Sequence, residues 1–247
     1  MSFLYADSFF LRIYYEDSIW DSLHTFIYNG LAQYWDVHTV STETPLVEGH
    51  RTNVLTHTEI VNVWDGPIPN VLTVAILNGN GEDMTRNYAI TYEYGELAVD
   101  PLPITVITEG NRWTYDGEIH SWIGHVVSPE TPLVEGHRTN VLTYTEIVNV
   151  WDGPNPNELT VAIFNGNNED MTANYDISYE YGELAVDPLP ITVITEGHTF
   201  IYNGLAQYWD VHTVSPETPL VEGHRTNVLT YTEIVNVWDG PIPNVSL

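Results

Sequence analysis

The sequence predicts an all-β protein: tandem antiparallel β-sandwich domains in an elongated array. Three observations predict this. Apolar and polar residues alternate at period two, as in Tyr175, Ile177, Tyr179 and Tyr181 against Asp176, Ser178 and Glu180; that is the pattern of a half-buried strand. Clusters of Gly, Pro, Asn and Asp punctuate such runs, and no segment carries a helical period. The chain also repeats. Tyr28, Tyr115 and Tyr202 each open a Tyr-Asn/Asp-Gly triplet, a constant step of 87 residues. Residues 45–51 return at 132–138 and 219–225, and 92–110 is letter for letter the same as 179–197.

The elements follow in order along the complete copy. Residues 104–108, Ile-Thr-Val-Ile-Thr, are rich in β-branched side chains and open it as a strand. Tyr115-Asp116-Gly117 turns the chain into a second run, 119–127. Ser128-Pro129-Glu130 and then Glu135-Gly136 separate that run from 138–151. Asp152-Gly153-Pro154 breaks the chain before the strand 159–164. Asn165-Gly166-Asn167-Asn168 is a turn where Asn and Gly tolerate positive φ. The strand 175–181 then passes through Tyr181-Gly182 into 183–187, and the two read as a C-terminal hairpin. About six or seven short strands in one copy is the signature of a sandwich. The polar turn 170–174 before Tyr175 looks like a tyrosine corner, which favours an Ig-like arrangement. A β-grasp-like repeat is the alternative.

The repeat divides the chain into an off-register segment 1–23, a first copy 24–103 with its opening strand replaced, a complete copy 104–190 and a truncated copy 191–247. A unit this long can bury its own core, so separate beads are expected, joined by a proline-stiffened linker at 186–191. Residues 9–14 either substitute as an edge strand or leave that edge bare. The truncated copy lacks the hairpin and is expected to be the least stable part. It is also expected to self-associate by taking a strand from another molecule.

Composition narrows the function. There is no Cys and no Lys, and six Arg face 34 acids for a net charge of −28. The complete copy holds 14 acids and two Arg, or −12. That field repels nucleic acid and anionic membranes. No apolar run reaches the ~18 residues of a membrane span. Residues 1–23 lack the basic start of a secretion signal.

The motifs Ile-Thr-Val (104–106), Tyr-Asp-Gly (115–117), Glu-Gly-His (135–137), Met-Thr-Ala-Asn-Tyr-Asp-Ile-Ser-Tyr (171–179) and Gly-Glu-Leu-Ala-Val (182–186) occur in that order. The copy thereby resembles the MBG/YDG-type repeats of large surface proteins of Gram-positive bacteria. The resemblance implies an extracellular, non-catalytic adhesin segment at the bacterial cell surface. Such a segment acts as stalk or spacer, or as a weak multivalent module for host or environmental glycans and glycoproteins. Asn-Val-Trp-Asp-Gly-Pro (149–154) departs from the polar stretch the family has there.

Within the copies, Trp64, Trp151 and Trp238 recur at a strand end or turn and are the candidate ligand contacts, for stacking on sugars. A carbohydrate-binding module built on them is the alternative function. Trp122, with Trp35 and Trp209, reads instead as a core plug or junction residue, and Trp113 as a generic core position. His125 and His137 recur at 38/50 and 212/224, but their spacing fits no short zinc motif, and 135–138 reads as a turn entering a strand. The loops 78–83 and 165–170 place oxygen ligands at alternate positions, so calcium stays open as a cofactor beside a plain hairpin turn. Gly-His and Trp-Asp pairs suggest a propeller only at half this period, and no Gly-x-Ser-x-Gly is present. No catalytic residue is assigned.

Overall fold

The computed structural model describes residues 10–14 and 23–245. Apart from 10–14 and Leu23, the N-terminal segment 1–23 therefore lies outside the described residues. The N-terminal segment supplies β1 (Phe10–Tyr14), and the first copy, with Leu23 just before it, holds β2 (Leu23–Ile27), β3 (Thr39–Val40), β4 (Arg51–Thr56), β5 (Ile68–Pro69), β6 (Thr73–Leu77), β7 (Ala89–Tyr92) and β8 (Glu96–Asp100). The complete copy holds β9 (Leu102–Thr108), β10 (Asn111–Thr114), β11 (His120–Ser121), β12 (His125–Val127), β13 (Arg138–Tyr144), β14 (Glu146–Ile147), β15 (Asn155–Pro156), β16 (Leu159–Phe164), β17 (Tyr175–Glu180) and β18 (Glu183–Asp187). Among the described residues the last copy forms only β19 (Val193–Thr195) and β20 (His212–Val214). The protein is all-β and sandwich-like, built of several small sheets. Among the described residues the only helical elements are single 3-10 turns, whereas a β-grasp lays a helix on its sheet. No described helix is long and apolar enough to cross a membrane.

The first and the complete copy each fold as two halves. The A half of the complete copy is the sheet β12-β9-β17 with the pair β13-β16; its B half is the sheet β10-β18-β15 with the pair β11-β14. The first copy repeats the plan, with β3-β1-β7 and β4-β6 as A and β2-β8-β5 in B. The recurrence is residue for residue: His24 pairs with Leu97 as Asn111 pairs with Leu184.

Two sequence expectations are corrected here. The copies are not wholly antiparallel, because first and last strands pair in parallel: Ile104 opposite Ile177 in the A half, Trp113 opposite Val186 in the B half. Nor do β17 and β18 form a hairpin. β17 bonds to β9, while β18 bonds to β10 and β15. The predicted tyrosine/isoleucine face does turn inward, with Tyr175 buried and Ile177 and Tyr179 half-buried. It shares its core with Ile104 and Val106, however, while Leu184 and Val186 belong to a separate cluster with Ile147. Alternation fixes which side chains a strand buries; it carries no information on the strand's partner or direction.

Contacts divide the described chain into two compact units. The first takes residues up to Thr108 with His125–Thr143 and Leu159–Glu180; the second takes Glu109–Gly124, Tyr144–Glu158 and everything from Tyr181 on. Packing thus follows lines other than the 87-residue period. In the first unit the B half of the first copy and the A half of the complete copy share one core. Tyr28, Ile60, Leu97 and Val99 pack with Ile104, Val106, Leu159, Val161, Ile163 and Tyr175. Only Pro101 separates β8 from β9, although residues 99–104 are the same as those of the expected linker at 186–191. Leu72, Val74 and Ile76 form a second cluster for the first copy's A half.

β1 takes the place of the missing opening strand. Ile13 opposes Val40 as Val106 opposes Val127. Ile13 precedes Val106 by 93 positions and Val40 precedes Val127 by 87, so β1 stands six residues out of the repeat register. It also lies between β3 and β7 rather than at an edge.

Candidate functional site

The residues Asn-Val-Trp-Asp-Gly-Pro fold identically in all three copies. A single 3-10 turn spans Val150–Asp152, and its counterparts span Val63–Asp65 and Val237–Asp239. The Asp152 carboxylate accepts the backbone N–H of Asn149 at 2.6 Å and of Val148 at 3.2 Å, and the Asn149 side-chain amide at 3.0 Å. Donation from the Asn149 backbone, foremost, holds the Asp152 carboxyl below the usual carboxylate range, and Asn236 does the same for Asp239. The following glycine clamps the turn to the core. A Cβ on Gly153 would lie 2.7 Å from Ile147 Cδ1 and 3.0 Å from the Leu184 carbonyl oxygen. The Gly-Pro peptide is cis in each copy.

Pinned at both ends, the turn points its middle residue outward. Trp151 and Trp238 are 82% exposed and Trp64 is 51% exposed. The structure therefore places all three candidate tryptophans on the surface, each on a braced turn and next to a carboxylate. An exposed indole face there can stack on the C–H face of a sugar or on another ring. The 3-10 turn itself was not anticipated, although Asn with Asp three residues later is a capping signature.

The other recurrent tryptophan differs between copies. Trp35 and Trp209 are half-buried and stack on His24 and His198, with ring centroids 3.8 and 4.0 Å apart. Trp122, expected in the core or at a junction, is 40% exposed. Its stacking partner is missing, because Asn111 stands where the other copies have histidine. It donates instead from Nε1 to Glu109 at 3.2 Å. Trp113 packs on the Ile147–Leu184–Val186 cluster, as its place in the pattern suggests.

The recurrent histidines are bound up in the scaffold. His38, His125 and His212 each bring Nε2 within 2.7–2.9 Å of a threonine hydroxyl, on Thr52, Thr139 and Thr226. His137 Nδ1 lies 2.6 Å from the Tyr175 hydroxyl, which also accepts the Val134 N–H at 3.3 Å. The Tyr175 partner is thus 41 residues upstream, not the local bond of a tyrosine corner. Burial lowers the His137 pKa and raises that of Tyr175 to about 12. Among the described residues no group of three His, Asp or Glu side chains could hold a metal ion.

In the loop 165–170 the Asn165 side-chain oxygen accepts the N–H groups of Asn167 and Glu169 at 2.9 and 3.0 Å, and its amide donates to Glu169 at 2.6 Å. Asp170 accepts from the Thr172 backbone and hydroxyl, and the hydroxyl is the larger cause of its lowered pKa. These oxygens serve turn donors, the geometry of the hairpin-turn reading.

Asparagines that sequence reasoning passed over prove structural. Asn70 and Asn157 are fully buried and donate to the carbonyls of Trp35 and Glu109 at 2.7 and 2.8 Å. Their recurrence after proline in every copy was the available signal. No known family, curated protein or solved structure matches the chain.

Proposed function

We propose that this chain is a non-catalytic tandem-repeat segment of a bacterial cell-surface adhesin, made of Ig-like sandwich modules of the MBG/YDG type. It works outside the cell as a stalk, or as a weak multivalent adhesion module. The observation that carries the reading is the shared core of the first unit. One copy's B half completes itself with the next copy's A half, through Tyr28, Ile60, Leu97 and Val99 on one side and Ile104, Val106 and Tyr175 on the other. Repeats that buttress one another resist bending, which suits a projecting segment. The acidic surface keeps such an array soluble. The MBG/YDG resemblance is what supports the cell-surface location.

A second reading rests on the three braced, exposed tryptophans: a carbohydrate-binding module with one aromatic contact per copy. A glycan array separates the two. A stalk gives the same weak, unselective signal before and after Trp151→Ala. Binding to a defined glycan that falls tenfold or more, about 1.4 kcal/mol, on Trp151→Ala would replace the stalk reading with the second one.

A further inference from the structure

The core shared between copies has two faces, and each occurs once more without its mate. In the first unit, Gly30 receives Val134: a Cβ there would sit 2.6 Å from Val134 Cγ1. Tyr28 is 3% exposed and meets Tyr175 edge-on at 5.6 Å between ring centroids. Asn174, fully buried, accepts the Val63 N–H at 2.9 Å and donates to the Asn62 side-chain oxygen at 3.0 Å.

The last copy carries the same receiving residues uncovered. Tyr202 is 60% and Val237 80% exposed, and around Gly204 the only neighbour within 4 Å is the Tyr202 hydroxyl, at 3.8 Å. Among the described residues the first copy carries the inserting face uncovered. Val47 is 50% exposed, Asn87 is exposed, and Tyr88 is half-buried. That face is already arranged for insertion. The Tyr88 hydroxyl lies 2.7 Å from His50 Nδ1 and accepts the Val47 N–H at 3.2 Å. The filled junction shows 2.6 and 3.3 Å for the same pair of bonds. One residue differs in the inserting turn: Arg86 stands where the complete copy has Ala173, a position that stays exposed in the filled junction.

We propose that the chain associates head to tail with a second copy of itself. Val47 of one copy seats over Gly204 of the next, Tyr202 is covered by Tyr88 and His50, and Asn87 bonds to Asn236 and the Val237 backbone. The contact reproduces between molecules one that the chain already makes within the first unit. The inserting face is preformed, and on the receiving side the Asn203 turn already stands beside Gly204 as Asn29 stands beside Gly30, which limits the ordering that opposes association. The two faces are different patches, so the contact is heterologous and its product is an open chain of copies.

Sedimentation of the whole chain over a concentration series is the test. The wild type grows with concentration beyond a dimer. Val47→Asp removes the inserting face and Tyr202→Ser the receiving one, each at an exposed position, and each alone weakens association about tenfold or more. Mixed together, these two variants pair through their intact faces into a species of two chains that grows no further. Leu142→Asp, exposed and part of neither face, leaves the wild-type behaviour unchanged. A wild type still monomeric at about 1 mM, where even weak interfaces associate, would overturn the proposal. So would association that survives either face variant, or a mixture that forms no pair.

Discussion

Residues 24–41 and 198–215 are identical, letter for letter. In the first stretch, residues 23–27 form β2 against β8, and the Tyr28 N–H donates to the Asp100 carbonyl at 2.9 Å. Tyr28 itself is 3% exposed. In the second stretch the counterparts Thr199, Phe200 and Ile201 form no strand, and Tyr202 is 60% exposed. What survives in both is the local structure. Asn29 and Asn203 each accept a backbone N–H two residues on, at 2.9 Å, beside a glycine with φ near +80° (78° and 81°). The reciprocal bonds Gln33–Ile60 and Gln207–Ile234 also persist. Turn chemistry is therefore encoded within the stretch, whereas strand formation needs a partner strand and a next half to pack on. The first stretch has both; among the described residues, 199–201 pair with no strand.

The same substitution made in both stretches tests that difference. Tyr28→Ala removes a large buried ring and should cost about 3–5 kcal/mol in the transition that unfolds the first unit. Tyr202→Ala should change stability by no more than about 0.5 kcal/mol, as exposed positions do. Equal costs in denaturant melts would erase the comparison.

Glycine substitution isolates the contact between copies from backbone strain. Both Gly30 and Gly204 have positive φ, so alanine strains each by a similar amount, about 1 kcal/mol. Only at Gly30 does the added methyl also meet Val134. Gly30→Ala should therefore exceed Gly204→Ala by about 1–3 kcal/mol, the cost of overpacking. A double variant with Val134→Ala should recover most of that excess, and failure to recover it would move the cause elsewhere.

Asn174→Ala and Asn87→Ala form the next pair. Asn174 is buried and holds the Asn62–Val63 turn, so its loss should cost about 1–3 kcal/mol. Asn87 is exposed and should cost about 0.5 kcal/mol or less. Proteolysis or melts of the two variants side by side would rank them.

The smallest effect is on pH. Burial lowers the pKa of His137 and of His24 below 6.5 in the folded chain. Between 6.5 and the lowered values the unfolded chain binds more protons, so stability falls on acidification through that window and is flat above it for these groups. His137→Gln should reduce the slope. A melting temperature that rises as pH drops from 6.5 would reverse the sign.

Much of this fold was legible in the chain. The inward face of β17, the strand 159–164 and the hairpin-type turn at Asn165 follow from alternation and turn residues, whereas the run 138–151, read as one strand, divides into β13, β14 and the 3-10 turn at 150–152. Pairing was not legible, because Ile104 opposite Ile177 and Leu184 beside Asn111 are facts about strands distant in sequence. Nor could the period reveal that Tyr28 is covered by residues of the next copy, since repetition looks the same whether copies pack alone or share a core. At the candidate site the exposure of Trp151 was open and that of Trp122 was misread. Both depend on single neighbours: Gly153 against Ile147 in one case, Asn111 in place of a histidine in the other.

Native-state hydrogen exchange across the two identical stretches tests the account most directly. The prediction is slow exchange of the β2 amides and Tyr28, fast exchange of Thr199, Phe200, Ile201 and Tyr202, and comparable protection of Gln33 and Gln207 at a concentration where the chain is monomeric. Equal protection of Tyr28 and Tyr202 in that monomer would contradict the claim that each copy is completed by the half that follows it.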